Sequence, residues 1–147
     1  MLKMIAIDKL LLDTKNPRID EVVDKDGALR QIIETQQAKI VNLARDIAMN
    51  GINPSDLPIV MLAKEPGYFV VLEGNRRLAA LKLLSDPKFV DVLSNSKLKE
   101  HINNIRKEFP EFKLSGIECF VVSSREQAEH WIKLRHTGEN KGIGIVP

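Results

Sequence analysis

Five consecutive residues concentrate the chemistry of this chain: Glu73-Gly74-Asn75-Arg76-Arg77. They follow the apolar, β-branched run Tyr68-Phe69-Val70-Val71-Leu72 and precede Leu78-Ala79-Ala80-Leu81-Lys82-Leu83-Leu84, which has the composition of a helix. A strand that enters a helix through glycine leaves the first-turn N–H groups without acceptors, at the positive end of the helix dipole. Such a terminus attracts anions, and the glycine lets a ligand approach the backbone. Arg76 and Arg77 supply planar, permanently charged forks suited to phosphate oxygens, and Asn75 supplies an amide donor or acceptor. In a merely structural helix, two arginines in the first turn oppose the dipole, at a cost of a few tenths to about 1 kcal/mol. Conflicts of this kind gather at functional sites. Glu73 has two roles open to it, a base toward an acceptor hydroxyl or an ion-pair partner of Arg77.

A second stretch of interest is His136-Thr137-Gly138-Glu139-Asn140-Lys141-Gly142-Ile143-Gly144. Its glycines permit the close backbone turns that a triphosphate cradle needs. Equally, Gly138 suits the C-cap of a preceding helix, which would leave Glu139 solvated. His101, His130 and His136 have no metal-site spacing, and a lone histidine more often packs or faces solvent. The single cysteine, Cys119, excludes a disulfide framework or a cysteine zinc site within the chain. It sits in the apolar run Ile117-Glu118-Cys119-Phe120-Val121-Val122, where a buried structural thiol is expected.

These residues are carried on a chain of 147 residues, sized for a single domain over 1–147. The net charge of only +2 argues against a whole-surface field that draws in nucleic acid, though not against a local basic patch. No apolar run approaches the ~20 residues of a membrane span, and an acidic residue comes too early for a signal peptide, so a cytoplasmic protein without membrane partners is expected. The chain stops just after the glycine-rich loop, which suggests a domain of a longer protein.

The elements follow from pattern. An edge strand is expected over the first twelve residues, then a turn at Asn16-Pro17-Arg18. Helical spacing begins near Asp26 with Ala28, Leu29, Ile32 and Ile33, and a second phase with Ile40, Leu43, Ala44 and Ile47 stops at Asn50-Gly51. Leu57 to Leu62 and Tyr68 to Leu72, joined by Lys64-Glu65-Pro66-Gly67, read as a β-hairpin. Asp86-Pro87 ends the helix after the arginines. Amphipathic helices with a stripe of Phe89, Val90, Val92, Leu93, Leu98, Ile102 and Ile105 are expected before a strand at Ile117–Val122. Ser123 or Ser124 caps a last helix, with Trp131 assigned to the core. The fold class is α+β, a small mixed sheet of about four strands flanked by helices, with a helical insertion at about 86–114.

The order of these features resembles the N-terminal domain of ParB-like proteins, grouped with sulfiredoxin and the free-serine kinases. Asn16-Pro17-Arg18 is similar to the end of that family's first motif, and Leu43 to Ile52 to the helix that precedes its Pro-Ile/Leu strand, here Pro58-Ile59-Val60. Gly74-Asn75-Arg76-Arg77-Leu78-Ala79-Ala80 resembles its Gly-Glu-Arg-Arg box, with Asn75 in place of the acidic residue, and Glu139-Asn140 its third motif. No cysteine stands in the arginine turn, so sulfiredoxin-type redox activity is not expected. The run Trp131 to Gly142 looks more like a phage- or defence-associated subset than a chromosome-partition protein.

The resemblance implies a nucleotide-binding switch in a DNA-associated protein, taking a nucleoside triphosphate such as CTP with Mg²⁺ and turning it over slowly if at all. Gly74, Asn75, Arg76, Arg77, Arg18, Gly138 and Asn140 would then contact nucleotide. Asn140 would also touch Mg²⁺, and Glu139, with Glu73, would be the catalytic candidates. DNA would be reached through a local basic patch or a region beyond residue 147, and a homodimer is compatible with this. The alternatives are a DNA-binding or ParB-like nuclease module and a small-molecule kinase of the free-serine type.

Overall fold

The computed structural model describes residues 1–13, 32–91, 93 and 95–136, the last by its backbone only. Among the described residues, strands and helices joined by turns make a five-stranded mixed sheet with helices packed on it. The strands are β1 (Leu2–Ala6), β2 (Leu10–Leu12), β3 (Ile59–Leu62), β4 (Phe69–Glu73) and β5 (Gly116–Val121). The helices are α1 (Gln37–Asn50), α2 (Asn75–Ser85), α3 (Pro87–Asp91), α4 (Ser96–Glu108) and α5 (Arg125–His136).

The sheet order is β1-β5-β3-β4-β2. The pairs β1–β5 and β3–β4 are antiparallel, whereas β3–β5 and β2–β4 are parallel. The N-terminal segment expected as one edge strand is two strands, at opposite ends of the ladder, separated by a 3-10 turn at Ile7–Lys9. That is why the sheet has five strands where about four were expected. Four inter-strand spacings span roughly 19 Å in a flat sheet. The link from Ala6 to Leu10 reaches about 14 Å at full stretch. The sheet must therefore curl until its two edges approach each other. Consistent with this, Lys3 Nζ of β1 lies 5.3 Å from the centre of the Phe69 ring of β4, although two strands separate them in the ladder.

The concave face holds the main core. Ile5, Leu10, Leu12, Val60, Val71, Ile117 and Cys119 meet α2, whose Leu78, Ala79, Ala80, Leu81, Leu83 and Leu84 are all buried. A helix that is apolar around its circumference has to be wrapped by other elements, and α1 and α4 do this with Ile40, Ala44 and Ile47 and with Leu98, Ile102 and Ile105. Asn95 caps α4 by accepting from Leu98 N–H at 2.9 Å, and Gly51 ends α1 at φ 82° with its N–H on Ile47 O at 2.8 Å. The expected hairpin is present, with Tyr68 N–H and O closing the turn onto Glu65 and Ala63. The segment expected to be helical at about 86–114 holds α3 and α4, and the buried members of its predicted stripe are Phe89, Val90, Leu93, Leu98, Ile102 and Ile105; Val92 lies outside the described residues.

On the other face, α5 covers Ile59, Leu72 and Val122 through Ala128 and Ile132. Ser124 Oγ caps it by accepting from Gln127 N–H at 3.2 Å. Trp131, assigned to the core from sequence, is instead 50% exposed. The contact stripe of α5 runs through Ala128 and Ile132, four residues apart, which turns Trp131 to the flank of the helix against the edge of His130.

Candidate functional site

The register between β3 and β4 shifts between Ile59 and Val60, at the point where β4 ends at Glu73. The irregularity bends the strand into Gly74, the residue before α2. Gly74 has φ 107°, a conformation that L side chains rarely adopt. A Cβ there would also stand 3.4 Å from Pro58 Cβ and 3.5 Å from Arg77 Nη1. Leu78 N–H is the first to close on the helix, accepting partner Gly74 O at 2.9 Å. The three N–H groups before it, on Asn75, Arg76 and Arg77, lack acceptors within the helix. No side chain caps this end, and no acidic residue stands in its first turn.

Asn75 is buried, at 5% exposure. Its Oδ1 accepts from Asp13 N–H at 3.3 Å, which sets the orientation of the amide, while its Nδ2 has no acceptor among the described residues. An unsatisfied buried donor costs roughly 1–3 kcal/mol unless something accepts from it. Arg76 is half-buried and has no partner among the described residues.

Arg77 is held differently. Its Nη2 donates to Asp56 Oδ2 at 2.6 Å, with the side chain 13% exposed. The carboxylate that fixes Arg77 is thus Asp56, from the turn before β3. Arg77 Nη1 is buried and has no acceptor among the described residues. The other oxygen of Asp56 lies 3.1 Å from Arg135 Nη1 of α5, whose guanidinium also donates to Leu57 O at 3.3 Å from both Nη atoms. One carboxylate therefore serves two guanidinium groups from two helices.

A second ion pair stands beside the site. Arg125 opens α5 and grips Asp13 in both directions, Nη1 to Oδ2 at 2.7 Å and Nη2 to Oδ1 at 2.8 Å. Asp13 is 5% exposed, and the bidentate bond raises the Arg125 pKa further above its ordinary value. Asp13 thus orients Asn75 with its backbone and α5 with its carboxylate. Cys119 is buried as expected, with its thiol pushed up to about 11 by burial, against the opposing influence of Arg77.

Of the predicted site residues, the structure brings together Gly74, Asn75, Arg76 and Arg77, with Glu73 closing β4 directly before them. Arg18, Gly138, Glu139 and Asn140 lie outside the described residues. Among the described residues, no group of three or more His, Cys, Asp or Glu could hold a metal ion, and no helix is long and apolar enough to cross a membrane. Asp56, Arg135, Asp13 and Arg125 were not singled out as site residues by sequence. Their pairings cross 21 to 112 residues of chain, and nothing local reports them. No protein family matches the chain, and no curated protein or solved structure does.

Proposed function

We propose that the N-terminal end of α2 binds the phosphate group of a nucleotide, and that the chain is a ParB-like nucleotide-binding switch of a DNA-associated protein. The observation that carries this reading is the buried Asn75 Nδ2, which has no acceptor among the described residues, at a helix N-terminus that no described side chain caps, beside Arg76, which has no partner among them. A phosphate accepts from all three donor types at once: backbone N–H, amide and guanidinium. It also removes the conflict between two arginines and the helix dipole, because the anion rather than the helix becomes their partner.

The switch follows from Asp56. Arg77 and Arg135 share this carboxylate, so a phosphate that draws Arg77 changes what Asp56 offers to α5. The nucleotide is a triphosphate with Mg²⁺, CTP being the first to test, with Glu139, Asn140 and Arg18 completing the site. Turnover, if present, is slow. Calorimetric titration with each nucleoside triphosphate, with and without Mg²⁺, tests the reading. The expected result is saturable binding that Arg76→Ala weakens by at least about tenfold. Absence of binding by every nucleotide would sink it, and Mg²⁺-dependent plasmid nicking without nucleotide binding would assign the fold to DNA cleavage instead.

A further inference from the structure

A second concave surface lies at the other end of α2, about 15 Å along the helix from Asn75 at 1.5 Å per residue. It is a groove of about 1020 Å³ where the C-terminal end of α2, the C-terminal end of α4 and the segment 109–115 meet. Its apolar surface includes Leu84, Phe109, Phe112 and Leu114. Leu84 belongs to the main core and the other three pack against it while remaining half-buried.

The charges around this groove are segregated. Arg106, Lys107 and Lys113 line it, and none of the three has a partner among the described residues. No carboxylate among the described residues lines it. The two acidic residues of the same stretch are directed elsewhere, Glu108 to Arg45 of α1 and Glu111 to solvent. Arg106 and Lys107 stand in the last turn of α4, where cations suit the helix dipole, so capping alone accounts for them. Capping does not account for Lys113, nor for the removal of every carboxylate from the lining. The volume is at the upper end of the range for small-molecule sites, and the mixture of an apolar floor with a few convergent polar groups is typical of them.

We propose that this groove binds an amphipathic organic anion, with its aliphatic or aromatic body on Leu84, Phe109, Phe112 and Leu114 and its carboxylate, sulfonate or phosphate among Arg106, Lys107 and Lys113. The proposal is independent of the phosphate site at Asn75. Neither half of the lining would suffice alone. Exposed cations in water hold a lone anion weakly, and an open apolar floor cannot discriminate by charge.

Three probes with one body and different head groups separate these contributions: dodecanoate, dodecanol and dodecyltrimethylammonium, each titrated calorimetrically below its aggregation concentration and at low salt. Dodecanoate is expected to bind saturably, and the neutral and cationic probes at least about tenfold more weakly. The paired Lys107→Glu and Lys113→Glu variant should weaken dodecanoate by about tenfold or more and improve the cationic probe. Should charge reversal unfold the chain, the Lys107→Gln and Lys113→Gln pair reads the same loss in smaller measure. Dodecanol binding as tightly as dodecanoate, dodecanoate binding indifferent to the folded variants, or no saturable binding would each overturn the proposal.

Discussion

The two ends of α5 are tied down by ion pairs of opposite character. At Arg125 the arrangement is closed: one guanidinium, one carboxylate, two parallel hydrogen bonds of 2.7 and 2.8 Å, and a nearly inaccessible Asp13. At Arg135 it is open: Asp56 is divided between Arg135 and Arg77, and among the described residues a buried N–H group of Arg77 has no acceptor and Arg76 beside it has no partner. The first pair sets one guanidinium against one carboxylate in a bidentate clasp and holds the start of α5 to the end of β2. The second leaves positive charge and unused donors at a helix terminus that is itself electropositive. Structural ion pairs and ligand sites use the same residue types. What separates them here is whether buried N–H groups find acceptors among the described residues.

The largest expected effect comes from breaking the closed pair. Arg125→Ala leaves a buried carboxylate without its two strongest donors and should cost roughly 3 kcal/mol in denaturant unfolding. Nucleotide affinity should change far less, provided the Asn75 bond to Asp13 N–H survives. Gly74→Ala forces a side chain to φ 107° and presses a methyl toward Pro58 and Arg77. A loss of roughly 1–2 kcal/mol in stability is expected, together with weaker phosphate binding, because the backbone can no longer approach the ligand.

Cys119 sharpens the comparison through pH. Its folded-state pKa is raised from 9.0 to about 11, so the fold favours the protonated thiol. That contribution is fully present below pH 9 and is lost as pH rises through 11. Unfolding free energy measured against a Cys119→Ala control should therefore fall by roughly 2 kcal/mol between about pH 9 and 11. The thiol should also resist labelling at neutral pH until denaturant is added. The smallest effect is expected at Asp56. Asp56→Asn keeps an acceptor for Arg77 but removes a negative charge near the bound phosphate. Binding should tighten by roughly threefold to tenfold at low salt, and the gain should shrink as salt is raised. A weakening instead would mean that Asp56 serves only to hold the arginine in place.

Much of this molecule was legible in its residues. The β-hairpin, the helix after Gly74 and the amphipathic α4 follow from local patterns whose period is set by the element itself. The split of the first twelve residues into β1 and β2 was not legible, because Ile7 and Leu10 are apolar and buried in either arrangement and only the curled sheet distinguishes them. Trp131 was misplaced for a related reason: helical spacing shows that a face is apolar, but not where the covered stripe ends. At the site, Gly74 to Arg77 are adjacent in sequence and could be read directly. Asp56 and Arg135 reach the same place only through the packing of the β3 turn and α5, a tertiary relation that no spacing encodes.

The central claim is that the buried Asn75 amide and the α2 terminus accept a phosphate, and the side-chain NH₂ resonances of Asn75 test it most directly. In ¹H–¹⁵N spectra recorded during a nucleoside triphosphate titration, with and without Mg²⁺, these resonances and the backbone amides of Asn75, Arg76 and Arg77 should shift together along one saturable curve. Arg76→Ala should move that curve to at least about tenfold higher concentration. Nucleotide binding that leaves the Asn75 side-chain resonances where they were would contradict the account.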